Sequence, residues 1–93
     1  MTIEQIKNAV MSIKDDFPIA RVILFGSRAN GTNKSDSDVD LVMEFTEGIS
    51  LLTLVSIKTT LEDILGVNVD VIHGPITEDD MIEVGEEIEL YAA

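Results

Sequence analysis

Three aspartates and one glycine-serine step carry the residue types that do chemistry in this chain. Asp38 and Asp40 fall two apart in Ser37-Asp38-Val39-Asp40-Leu41, and side chains at i and i+2 of a strand leave by the same face. Asp70 interrupts a second strand-like run, Val67 to Ile72. Aspartate is a poor strand former, so each of these positions carries a local penalty with no local return. Gathering carboxylates is unfavourable without cations, and an all-oxygen cluster suits Mg²⁺. Two such ions could bridge Asp38, Asp40 and Asp70 to substrate phosphates and stabilise an in-line displacement. Gly26-Ser27-Arg28-Ala29 directly follows an apolar run. Backbone N–H groups and the Ser27 hydroxyl there can cradle a phosphate, and Gly26 lets the backbone come close. Arg28 can add charge-assisted contacts to the same phosphates or brace the carboxylates.

These residues need elements to hold them. Thr2 with Gln5 forms a capping-box pattern, and Ile3, Ile6, Val10, Ile13 and Phe17 recur at helical spacing, so a helix is predicted over 3–16, ended by Pro18. Arg21–Phe25 is a short apolar strand that Gly26 stops. From Asp38 the chain alternates. Val39, Leu41, Met43 and Phe45 take one face, and Asp38, Asp40, Val42 and Glu44 take the other, clear of the core. Gly48 and Ser50 open a long helix through Leu65, with Gly66 as its C-cap. Val67, Val69 and Val71 alternate again. Thr77 is expected to cap a short helix near 78–84, and Glu87–Tyr91 reads as a last strand. The expected class is α+β (α/β): a small mixed sheet with helices packed on one side, in a single domain over 1–93.

Bulk properties narrow the function. Ninety-three residues with 45% hydrophobic side chains provide one mostly aliphatic core. With no cysteine and a single histidine, thiolate and multi-histidine metal sites are ruled out. No apolar run approaches the roughly 20 residues of a membrane span, and the N-terminus lacks a signal-peptide pattern, which makes the cytosol the expected setting. The net charge of −12 repels nucleic acid and suits a basic protein partner.

Taken together, the Gly26-Ser27 step, the Asp38-Val39-Asp40 element and an aspartate in a later strand resemble the polymerase-β-like nucleotidyltransferase superfamily. Nearly the whole chain resembles its minimal nucleotidyltransferase (MNT) domains. The resemblance implies transfer of a nucleoside monophosphate, typically AMP from ATP, to a hydroxyl. Asp38 and Asp40 would hold both Mg²⁺ ions, while Asp70 would help hold one and act as base. Gly26 and Ser27 would bind the β- and γ-phosphates. Such domains often serve as antitoxins beside a HEPN-type helical partner, whose tyrosine receives the nucleotide. Asn30 departs from the pattern, standing where many relatives carry a second arginine.

Other readings stay open at this level. Asp38 and Asp40 can be solvated strand-edge charges, Asp70 an exposed strand aspartate, Arg28 half of a surface ion pair, and Ser27 an ordinary helix N-cap. An EF-hand from Asp36 fails because Leu41 occupies the glycine position. His73 and Tyr91 are read as a loop and a packing residue. The rival functions are a non-catalytic antitoxin binding module and an aminoglycoside-type transferase whose pocket is completed by a partner chain or second subunit.

Overall fold

The computed structural model describes residues 2–26, 38–74 and 87–93. Ser27, Arg28, Asn30, Asp36 and the helix expected near 78–84 lie outside those residues. Among the described residues, two helices and four strands follow in the order α1 (Ile3–Ile13), β1 (Ile19–Phe25), β2 (Val39–Phe45), α2 (Leu51–Leu65), β3 (Val69–His73) and β4 (Glu87–Ala92).

The capping box at α1 forms in full. The Thr2 hydroxyl accepts from the Gln5 N–H at 3.1 Å, and the Gln5 side-chain oxygen accepts from the Thr2 N–H at 2.7 Å. Its buried face is Ile6, Ala9, Val10 and Ile13. The helix stops at Ile13, three residues short of the expected end. The Asp16 N–H turns to the Ile13 carbonyl at 2.9 Å, a tightened last turn. Asp15 and Asp16 oppose the helix dipole there, and Pro18 disfavours helical backbone at Phe17.

β1 pairs antiparallel with β2 and with β4, and β2 pairs parallel with β3, giving a mixed sheet in the order β3-β2-β1-β4. The α2 crossover makes the parallel pair possible. Ser50 caps its start by accepting from the Thr53 N–H, and Gly66 ends it in the left-handed region at φ +74°. The core joins the buried stripes of both helices to Val22, Leu24, Val39, Leu41, Met43, Val69 and Leu90 on one face of the sheet.

One expectation about faces changes. Val42, expected clear of the core, is only 4% exposed, and neighbouring Ile23 is 7% exposed; the sheet's second face is therefore apolar at its centre. Conversely, Leu51, Leu52, Val55 and Ile64 of α2 are exposed, and Ile57 and Leu61 alone are its buried side chains. At the end of the sheet that holds Phe45, Arg21 ties three strands through Glu44 at 3.2 Å and Glu89 at 2.9 Å.

Candidate active site

Asp40 lies in β2 directly opposite Asp70 in β3, and Phe25 in β1 lies opposite Asp40. Phe25 in turn faces Glu87 in β4. Matched residues share a face, so Asp70, Asp40, Phe25 and Glu87 form one row across all four strands, on the side away from the helices. Asp38 sits one step before the start of β2 and is exposed. The alternation of β2 dictates this placement: burying Val39, Leu41 and Met43 forces Asp40 to the opposite face.

Gly26 ends β1 beside Asp40 with φ +78°, and a Cβ built there would stand 2.5 Å from Asp40 Oδ2. The glycine is required twice over, by its left-handed backbone and by the carboxylate lodged where a side chain would go. Asp40 is half-buried, and its carboxyl is pushed above the usual aspartate range. Burial is the main cause, followed by the charge of Asp70, a hydrogen bond with Asp70, and the charge of Asp38.

β3 is fixed at the same end from outside the sheet. The Val69 N–H donates to Glu62 Oε2 at 3.0 Å, and the Lys58 ammonium meets the same oxygen at 2.7 Å. The Val39 N–H donates to the Asn68 carbonyl at 2.9 Å. Together these bonds set the register that puts Asp70 beside Asp40. Glu62 was not singled out in the sequence, where it reads as one half of an ordinary i,i+4 pair on an exposed helix face; its bond to Val69 is a tertiary contact.

The structure therefore brings together Asp40, Asp70 and Gly26, with Asp38 close enough for its charge to act on Asp40. Ser27 and Arg28 lie outside the described residues. Among those residues, no three acidic or histidine side chains are arranged as a finished metal cage. The donors present are nonetheless all carboxylate oxygens; burial, and then the charges of Asp70 and Asp38, raise the Asp40 carboxyl, and a hard divalent cation offsets that cost. This set fits Mg²⁺. His73 is set apart from the aspartates and packs near the Phe45 ring, with centroids 5.1 Å apart.

Paired carboxylates on adjacent strands beside a left-handed glycine define a class of acidic site suited to phosphate esters. The chain matches the family model described as a nucleotidyltransferase domain over residues 3–90. It is 43% identical over 72 residues to a Methanocaldococcus jannaschii protein provisionally named a protein adenylyltransferase, covering 77% of each chain. To the protein adenylyltransferase MntA of Thermococcus cleftensis it is 33% identical over 76 residues, again covering 77% of each. A solved structure provisionally described as a minimal nucleotidyltransferase superposes with a TM-score of 0.74 at 35% identity, covering 95% of both chains. The fold is shared with a Shewanella oneidensis complex of an MNT antitoxin and a tri-AMPylated HEPN toxin, at a TM-score of 0.72, 15% identity, and coverage of 97% of this chain and 72% of that one. The chain belongs to the nucleotidyltransferase domain family, and it is a nucleotidyltransferase.

Proposed function

We propose that this domain moves AMP from ATP to a hydroxyl of a partner protein, a tyrosine of a HEPN-type toxin, and so acts as an antitoxin in the cytosol. The observation that carries the proposal is the matched pair Asp40 and Asp70 with Gly26 packed against Asp40. The relatives named as protein adenylyltransferases, and the solved complex of an MNT antitoxin with a tri-AMPylated HEPN toxin, support the choice of nucleotide and acceptor.

The hydroxyl oxygen attacks the α-phosphorus of ATP as its proton passes to a carboxylate oxygen of Asp70. A phosphodiester bond forms to the acceptor, the bond from the α-phosphorus to the oxygen bridging to the β-phosphate breaks, and pyrophosphate leaves with those electrons. Gly26 and Ser27 hold the β- and γ-phosphates through their N–H groups and the Ser27 hydroxyl, with Arg28 as a further donor. Asp38, Asp40 and Asp70 would hold one or two Mg²⁺ ions, which would supply charge neutralisation for the phosphates. Gly26 leaves room for the Asp40 carboxylate, and the strand register sets Asp70 beside it. Phosphoryl-type transfer asks for positioning and charge more than covalent chemistry, so a domain this small suffices.

The test incubates the protein with α-labelled ATP, Mg²⁺ and the product of the neighbouring gene, in parallel with Asp38→Ala/Asp40→Ala. Label on the partner with the intact protein alone supports the reading. Unlabelled partner that is still neutralised by the double variant would establish the non-catalytic binding module instead.

A further inference from the structure

Among the described residues β3 is an outer strand of the sheet, and its outer edge runs beside Asp70. Two bonds fix which backbone groups point outward. The Val39 N–H donates to the Asn68 carbonyl, and the Gly74 N–H donates to the Met43 carbonyl at 2.6 Å. In a parallel pair, alternate residues turn both groups to the neighbouring strand. Asn68, Asp70, Ile72 and Gly74 therefore face β2, and Val69, Val71 and His73 face outward. Glu62 takes the Val69 N–H. Among the described residues, the N–H groups of Val71 and His73 have no partner.

This edge also lacks the devices that usually guard one. Outer strands are commonly protected by lysine, proline or a bulge. Val69–His73 contains neither residue type, and its pairing with β2 shows no register shift, although both other pairings in the sheet do. Ile72 is 43% exposed and His73 is exposed as well. The one charge on the strand, Asp70, belongs to the active site.

The order of the site across the sheet gives the edge a use. Gly26 is at the end of β1, Asp40 is on β2, and Asp70 is on the outer strand β3. With the leaving phosphates held at Gly26, an in-line attack brings the entering oxygen from the opposite side, past Asp70 and over the β3 edge.

From this we infer that the acceptor binds as an extended segment that adds a strand to β3, hydrogen-bonding to the outward groups of Val71 and His73. The inference rests on the transfer reaction proposed above and specifies how its protein acceptor is held. Strand addition supplies affinity through main-chain bonds, while one side chain of the added strand falls in the row of Asp70 and Asp40. The acceptor hydroxyl is carried by that side chain. A tyrosine ring leaning along the row passes over Asp70 toward Asp40.

The experiment has two arms, both using the product of the neighbouring gene as acceptor. In the first, residue-resolved amide hydrogen exchange is measured on the unaltered protein with acceptor and a non-hydrolysable ATP analogue. Exchange at Val71 and His73 should slow about tenfold or more on adding acceptor; unchanged exchange at both overturns the inference. Equal slowing without acceptor, growing with protein concentration, would assign the edge to a second copy of this chain and overturn it too. In the second, Val71→Pro removes an outward N–H and leaves the β2 ladder intact, a placement proline tolerates. Its kcat/KM for AMP transfer should fall about tenfold or more, with ATP affinity kept, while the melting temperature drops modestly because Val71 packs against the core. Undiminished transfer by this variant overturns the inference. Should the variant not fold, the exchange arm decides. If the unaltered protein labels no acceptor at all, the transfer reading itself fails and the edge assignment falls with it; that result is distinct because it needs no variant.

Discussion

Asp40 and Asp70 stand opposite each other on two parallel strands, and no described lysine or arginine forms an ion pair with either. Two like charges held together by the backbone are a structural liability in the free protein. They become an asset once a cation and phosphates arrive.

The liability is measurable at Asp40. Its folded-state carboxyl is raised above the ordinary value of 3.8, mainly by burial and then by Asp70. A raised acid gives stability that is full below its unfolded value and is lost as pH rises through its folded one. Asp40→Asn should therefore melt higher than the parent at neutral pH without metal, and the gain should vanish near pH 3.8 and below. The same variant should lose at least about a hundredfold in transfer rate and all stabilisation by added Mg²⁺. Melting curves across pH, with and without Mg²⁺, check both parts.

Gly26→Ala should damage the site more than the fold. Left-handed backbone at alanine costs about 1–2 kcal/mol, while the new methyl drives the Asp40 carboxylate from its place. A shift of about 1 Å at a reacting group costs about a hundredfold in rate. In an Asp40→Ala background, the stability cost should shrink toward the backbone contribution alone, because the clash partner is gone. Denaturant melts of the four proteins of this cycle give the coupling.

Glu62 should matter most in acid. Its carboxyl is held below the ordinary 4.5 by the Lys58 hydrogen bond and then by the Val69 N–H. A depressed acid contributes stability above its unfolded value and loses it as pH falls through the folded one. The parent should thus lose melting temperature below about pH 4.5 more steeply than Glu62→Gln, which has no charge to lose. Glu62→Ala, lacking any acceptor for Val69, should also lower transfer by loosening the register at Asp70. Melting temperature against pH and single-turnover rates test the two effects.

Gly74→Ala serves as the contrast. Its Cβ would meet Val42 Cγ1 at 3.0 Å and Glu44 Cγ at 3.1 Å, at the end of the sheet away from the aspartates. Overpacking of this kind costs roughly 1–3 kcal/mol. Stability should drop by that amount in a urea melt, with ATP affinity unchanged.

Much of the fold was legible because short-range rules governed it. Thr2 and Gln5 marked a helix start, Gly66 marked a helix end, and the alternation from Val39 to Met43 named the buried face of β2. Legibility failed where neighbours outvoted the pattern. The helical spacing of Phe17 suggested a longer α1 than Asp15, Asp16 and Pro18 allow. Leu51, Leu52 and Val55 look like core residues in sequence, yet the start of α2 leaves them exposed.

The sequence by itself determined the identities of the acidic residues, the turning of Asp40 away from the core, and the glycine at the end of β1. Those follow from strand periodicity and from the backbone freedom of glycine, both local properties. Only the tertiary structure decided that β3 runs parallel to β2 with Asp70 beside Asp40, that Gly26 makes room for the Asp40 carboxylate, and that Glu62 pins Val69. Strand pairing and register depend on contacts between segments distant in sequence, and no periodicity within one segment can specify its partner. Among the described residues, the same pairing places β3 at the rim of the sheet.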